Sequence, residues 1–153
     1  MPFDNIKNEK RTDILFLDQP VVVAEDVNHG YAYNTIVIFE LKRPMRDDYT
    51  MADNPITQLQ LYVKKIREGK VKDSRHRPIK VNEATQFYLY AVCDITPSLE
   101  GVLEAMGYQM TPDQLGAYHY NDRNHSYTEV LSYNKILNDA EMRNKVLFTK
   151  LGV

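Results

Sequence analysis

The chain has a single cysteine, no tryptophan and only six glycines in 153 residues. It also has no apolar run near the ~18 residues that a membrane span requires. One thiol builds neither a disulfide framework nor a zinc knuckle. Its place in the apolar run 87–93 makes Cys93 most simply a buried small hydrophobe. The opening stretch, Met-Pro-Phe-Asp-Asn-Ile-Lys-Asn-Glu-Lys, has no hydrophobic signal region, so cytoplasmic residence is the default expectation. An excess of basic charge is missing too. Lys and Arg number 19 against 21 Asp and Glu, a net −2, so bulk electrostatics does not announce a nucleic-acid binder. There is no Gly-rich phosphate loop, Gly-x-Ser-x-Gly elbow or paired-cysteine motif, which weighs against nucleotide hydrolysis, acyl transfer and zinc-dependent deamination. His29, His76, His119 and His125 form no ligand set by spacing, although His119 and His125 flank an expected turn and could face one another.

What is present fits one α/β domain covering residues 1–153, for 43% hydrophobic content in a chain this long can bury one core. Periodicity and turn chemistry predict strands over 12–18, 20–24 and 35–42, a helix over 55–68, a strand over 85–93 and a helix over 97–107. Strands over 116–121 and 126–133 and a helix over 134–150 complete the reading. Asn54 is placed to cap the first helix with Pro55 at its first position, and Gly69 to end it. Thr96-Pro97 opens the second helix in the same way. Residues 121–124, Asn-Asp-Arg-Asn, read as a hairpin turn. In the last helix Leu137, Ala140, Leu147 and Leu151 recur at helical spacing as one packing stripe. Tyr88 and Tyr90 fall on one face of the 85–93 strand, Phe87 and Leu89 on the other.

The most informative segment is 35–44, Thr-Ile-Val-Ile-Phe-Glu-Leu-Lys-Arg-Pro. Its apolar run suits a central strand covered on both faces. Side chains alternate with a period of two, so Glu40 and Lys42 leave the strand end on the same face. A carboxylate and an ammonium emerging together from a buried strand are costly unless they pair, bind a metal or do chemistry. Upstream, Asp13 enters the apolar run 14–17, and a meander of the first three strands could bring it beside Glu40. Asp18 is the rival acid, but it points to the opposite face from residues 13, 15 and 17.

Asp13 followed by Glu40-Leu41-Lys42 on a later strand resembles the PD-(D/E)xK nuclease superfamily, with Thr12 where that motif's loosely kept proline stands. Asn54-Pro55-Ile56-Thr57-Gln58-Leu59-Gln60-Leu61-Tyr62 resembles the Q-x-x-x-Y helix of its RecB-like branch. Together the matches cover residues 11–66. The resemblance implies a restriction-endonuclease-like fold, a mixed central sheet flanked by helices on both faces, with the family's N-terminal core helix missing here. Either that helix has been lost or the chain is the C-terminal part of a longer bacterial protein; the polar opening favours the second, and family habit then suggests an ATPase or other regulatory domain as partner in the same chain.

The implied activity is magnesium-dependent hydrolysis of DNA phosphodiesters, with manganese as a substitute. A divalent cation polarises the phosphate and lowers the pKa of the attacking water, and hard cations take oxygen ligands. By resemblance Asp13, Glu40 and the Leu41 carbonyl are the metal ligands. Lys42 serves the water or the developing charge, and Gln58 assists, with Tyr62 as accessory. Each residue also has a plainer role: Glu40 and Lys42 as a solvated ion pair, Asp13 as a strand start, Gln58 as a helix surface residue and Tyr62 as core.

Between residues 64 and 80 lie eight basic side chains against Glu68 and Asp73, a local +6. Lys64, Lys65, Lys70, Lys72, Arg75 and Arg77 are the candidate nucleic-acid contacts, since phosphate binding gains from such a cluster through counterion release. A solvated loop is the other reading. The alternative to an enzyme is a catalytically silent nucleic-acid-binding or oligomerisation domain of the same fold, with homo-oligomers formed through the Tyr-rich hairpin and the last helix.

Overall fold

A computed structural model describes residues 21–24, 32–72 and 76–152. Among these residues the chain forms β1 (Val21–Ala24), β2 (Thr35–Leu41), α1 (Pro55–Arg67), β3 (Gln86–Val92), α2 (Pro97–Ala105), β4 (Gln109–Met110), β5 (Gly116–Asn121), β6 (Ser126–Leu131) and α3 (Tyr133–Leu151). The expected strand over 12–18, with Asp13 and Asp18, lies outside the described residues, as do the stretch before it where the family's N-terminal helix is expected to be missing, His29 and Arg75. The remaining expected elements form within a few residues of their anticipated bounds. The two-residue β4 is additional, too short to carry a periodic signal.

The strands make one mixed sheet in the order β1-β2-β3-β6-β5-β4. β2, β3 and β6 are parallel to one another, while β1 pairs antiparallel with β2, β5 with β6 and β4 with β5. The parallel centre follows from connectivity: α1 returns the chain from the end of β2 to the start of β3, a crossover too long for a hairpin. Register aligns Ile36, Ile38 and Glu40 with Phe87, Leu89 and Ala91, and those in turn with Ser126, Thr128 and Val130. This one face is the core. Its side chains are buried together with Ile56, Leu59, Val63 and Ile66 of α1 and Leu99 and Leu103 of α2.

The opposite face corrects two expectations. β2 alternates buried and half-buried positions instead of being covered on both sides, because Val37 and Phe39 share their face with Tyr88, Tyr90 and Tyr127. Phe39 stacks on Tyr90 at 5.2 Å, yet Tyr88 is 37% exposed. Helices packed on the sheet therefore lie on one face among the described residues, not on both. The division of β3 between Phe87/Leu89 and Tyr88/Tyr90 is as the alternation requires.

Helix termini follow local chemistry. The Asn54 side chain accepts from Thr57 N at 2.8 Å with Pro55 at the first helical position. At the other end Gly69 takes φ 71°, and Gly69 N and Lys70 N donate to Ile66 O and Lys65 O. That paired closure needs a left-handed residue, which glycine adopts without a Cβ penalty. α2 differs from the expected capping. Thr96 sits at its N-cap, but its hydroxyl donates to Arg46 O at 2.7 Å, and Asp47 caps the helix from outside through Ser98 N at 2.8 Å.

In α3 no residue is buried, so the anticipated packing stripe is exposed: Leu137 is 60% and Leu151 66% accessible. The β5–β6 hairpin forms around 122–125, but His119 and His125 do not pair. His119 stacks on Tyr108 at 5.0 Å, and His125 occupies the turn with φ 51°. Gly116 opens β5 where a Cβ would stand 2.9 Å from Val130 O, too close for any other residue without movement. No described helix is long and apolar enough to cross a membrane.

Candidate active site

Glu40 and Lys42 emerge at the carboxyl end of β2, in the parallel centre of the sheet. Open sheets with parallel strands place ligands at such ends, because the connections there leave a crevice. Both residues share the buried face set by Ile36 and Ile38, as the period-two alternation requires. Glu40 is fully buried and Lys42 is 2% exposed. Lys42 Nζ lies 2.9 Å from Glu40 Oε1. The reading of this pair as a solvated surface bridge is thereby excluded: two full charges sit out of water at the strand end. Such pairing offsets the desolvation penalty only when the geometry is close.

The backbone around the pair is fixed on several sides. Lys42 N donates to Val92 O at 2.9 Å, extending the β2–β3 ladder past Leu41. Lys42 O accepts from Tyr133 Oη at 2.6 Å. Loop 43–54 is then held against the segment after β3. Met45 N donates to Asp94 Oδ2 at 2.7 Å, Thr96 bonds Arg46 O, and Tyr49 N donates to Ser98 Oγ at 3.1 Å. Met45 adopts φ 61° in this arrangement, a left-handed conformation that costs a non-glycine residue and is held here by the Asp94 carboxylate. Arg46 bridges Asp48 and Asp53 and lies over the Tyr49 ring at 4.7 Å.

Neighbouring titratable groups respond to this environment. Burial pushes the Cys93 thiol up to about 12, with Asp94 adding to the effect, so the cysteine is the inert hydrophobe the sequence suggests. Burial also raises the phenols of Tyr133 and Tyr49. The Ser98 N–H holds the Asp47 carboxyl below its ordinary value.

The other sequence candidates are distributed unevenly. Gln58, half-buried in the first turns of α1, donates its amide to Asp53 Oδ1 at 3.2 Å. Tyr62 packs against the core, and burial raises its phenol. Leu41 is half-buried beside the pair.

Lys64 and Lys65 are exposed toward the far end of α1, about 14–15 Å along the helix axis from its start. That end belongs to the amino edge of the parallel strands. There Arg67 donates to Asn82 O, Thr85 O and Asn124 O and stacks on Phe87 at 4.9 Å. Lys70 pairs with Glu68 at 2.7 Å, and Lys72 and Arg77 are exposed in the following segment. Nearness in sequence is not nearness in space: the crossover helix carries the basic cluster to the edge of the sheet opposite Glu40 and Lys42.

Sequence reasoning missed Tyr133, Asp94 and the bonds of Thr96 and Ser98 to Arg46, Asp47 and Tyr49. Asp94 directly follows the apolar run 87–93, which was the one available signal. Tyr133 is 91 residues from Lys42, and nothing local marks it.

No group of three or more His, Cys, Asp or Glu side chains positioned for a metal occurs among the described residues. Glu40 supplies a hard carboxylate donor beside the Leu41 main chain, which is the donor chemistry magnesium takes, while Asp13 lies outside the described residues. Comparison with family models, curated proteins and solved structures finds no match to this chain.

Proposed function

We propose that this chain is a metal-dependent nuclease domain of the PD-(D/E)xK type with a restriction-endonuclease-like core, hydrolysing DNA phosphodiesters. The observation that carries the reading is the buried Glu40–Lys42 pair, 2.9 Å apart at the carboxyl end of a central parallel strand. The Gln58 helix follows it directly in sequence. Apolar residues often serve a buried strand end at least as well as two desolvated charges, so the presence of the pair there favours a chemical role.

In this reading Glu40, Asp13 and the Leu41 carbonyl hold magnesium or manganese. Bound there, the ion supplies Lewis-acid polarisation of the phosphate and a more acidic water. Lys42 presents a positive charge, oriented by Glu40, toward the attacking water or the non-bridging oxygens, where negative charge grows as the water oxygen bonds to phosphorus and the ester oxygen leaves. Gln58 assists at the rim from the first turns of α1. DNA contacts by Lys64, Lys65, Lys70, Lys72, Arg75 and Arg77 require a substrate long enough to run from the carboxyl edge of the sheet to the amino edge. Cytoplasmic action, and linkage to an ATPase or regulatory domain in a longer chain, belong to the same proposal.

The test is nicking of supercoiled plasmid by the full-length protein with magnesium or manganese. Wild type is expected to cut, and Lys42→Ala and Glu40→Gln to lose about 10²-fold or more, the scale of removing one charge-stabilising group. Absence of cutting of plasmid, single-stranded DNA and RNA with both metals defeats the reading. So does a Lys42→Ala protein as active as wild type.

A second reading, an oligomerisation module, is favoured by one observation: Ile136, Leu137, Leu147, Phe148 and Leu151 of α3 are 38–66% exposed. These side chains share one helical stripe. A second copy of this chain is the occupant we assign, because the face of a helix about 28 Å long offers on the order of 600–800 Å², close to one partner's share of a standard interface. Light scattering decides it: a monomer at high concentration, or a dimer unaffected by Leu147→Glu, removes this reading.

A further inference from the structure

We propose that Tyr133 is a positioning residue for Lys42, fixing the amine through its own main-chain carbonyl. Only the use made of the amine rests on the nuclease reading; the positioning itself stands on geometry.

The ladder between β2 and β3 ends with Lys42 N donating to Val92 O at 2.9 Å, after which the chain turns away into loop 43–54. The peptide on the carboxyl side of Lys42 thus lies beyond the sheet. Its oxygen receives the phenol of Tyr133 at 2.6 Å, a short O–H···O bond across 91 residues of sequence. One side of Lys42 is held by a strand and the other by a helix, so rotation about its backbone is restrained on both sides of the Cα. The amine then has a fixed root from which to reach Glu40 Oε1 at 2.9 Å.

The anchor is itself rigid. Tyr133 is the first residue of α3, and Ser132 caps that helix by accepting from Lys135 N at 3.0 Å. Ser132 N donates to Leu115 O at 3.2 Å, and Lys135 Nζ lies 2.6 Å from Asp113 Oδ2. The first turn of α3 is bolted to the β4–β5 region, whereas residues 141–151 are exposed throughout. Burial raises the Tyr133 phenol, so it remains a donor across the working pH range. A group that must stand within about 0.5 Å of its productive place needs such outer support, and a misplacement of about 1 Å costs on the order of 10²-fold in rate.

The experiment uses the full-length protein and Tyr133→Phe, which keeps the ring and removes only the hydroxyl. Two quantities are measured: nicking kinetics, and the ¹⁵N resonance of the Lys42 ammonium with its hydrogen-exchange rate. The expected result is a 10- to 100-fold fall in kcat with KM within twofold of wild type, and Lys42 ammonium exchange at least tenfold faster. Ser132→Ala removes only the Ser132 Oγ cap, leaving the phenol, the Ser132 N–Leu115 O bond and the Lys135–Asp113 pair to hold the helix start, and is expected to change the Lys42 signal less than twofold.

A Lys42 resonance and exchange rate unchanged in Tyr133→Phe overturn the proposal whatever the activity. Equal disturbance by Ser132→Ala also overturns it, because the effect is then general to α3. If wild type cuts nothing while the Lys42 signal responds to Tyr133→Phe alone, the positioning stands and the nuclease reading falls.

Discussion

Removing one member of the Glu40–Lys42 pair is expected to destabilise the fold sharply, whereas removing both is not. At 2.9 Å and an effective dielectric of about 20, the attraction is about 6 kcal/mol. It is set against several kcal/mol of desolvation for each ion, and the net contribution of the intact pair is therefore small. Lys42→Met removes the ammonium that faces the Glu40 carboxylate in a site closed to solvent, and Glu40→Gln removes the carboxylate that faces the ammonium. Each single change is expected to cost about 3–5 kcal/mol. For a domain of this length that lowers Tm by about 10 °C or more. The double variant Glu40→Leu/Lys42→Met removes both charges of the pair together and is expected to recover most of the loss.

The assay is urea unfolding of the four proteins, followed by far-UV circular dichroism because the chain has no tryptophan. The coupling is read from the double-mutant cycle. Magnesium adds an arm: if Glu40 is a ligand, millimolar magnesium restores part of the stability lost in Lys42→Met and none in the double variant. Single variants that lose less than ~1 kcal/mol, or a double variant that loses the sum of the two, would refute the argument that the pair is a closely coupled buried unit.

Three further outcomes follow from the structure. Asp113 is held down to about 2 from an ordinary 3.8, first by the Lys135 side chain and then by Thr111 and the Leu115 N–H. A depressed carboxyl stabilises the fold above its unfolded pKa and loses that contribution as pH falls through its folded value. Acid weakening between about pH 4 and 2 should therefore shrink in Asp113→Asn, and a carboxyl titration midpoint near 3.8 in the folded protein contradicts the assignment. Arg67→Lys should cost about 2–4 kcal/mol in urea unfolding, since an ammonium cannot reproduce a fork that reaches three carbonyls while stacking on Phe87; a loss below ~0.5 kcal/mol contradicts it. Cys93, buried and with its thiol pushed up to about 12, should resist aromatic disulfide reagents at pH 8 in the native protein and react fully in urea. Rapid native labelling contradicts the burial.

Local chemistry was legible wherever it is set by neighbours in the chain. Asn54-Pro55 and Gly69 bracket α1 because a cap and a left-handed closure depend on residues within one turn. The alternation in 35–42 and 85–93 put Ile36 with Ile38, Phe87 with Leu89 and Glu40 with Lys42 on shared faces, because side chains in a strand alternate regardless of what packs on them. The residues of the candidate site that share a strand were therefore visible in sequence.

What covers each face was not legible. The same apolar stripe that packs α1 against the sheet is exposed in α3, and Val37 and Phe39 look as suited to a core as Ile36 and Ile38. Only the path of the chain decides which faces meet. The basic run after Lys64 sits near Glu40 along the polymer, but one crossover helix carries it to the opposite edge of the sheet. Conversely, Tyr133 and Lys42 are separated by 91 residues and meet at 2.6 Å. Sequence determined most of the described elements, the caps of α1 and the alternation of side chains along each strand, because those depend on backbone geometry over a few residues. The tertiary structure alone decided burial of the Glu40–Lys42 charges and the anchoring of Lys42, because both arise from strand order and register, which bring together groups whose separation along the chain says nothing of their distance in space.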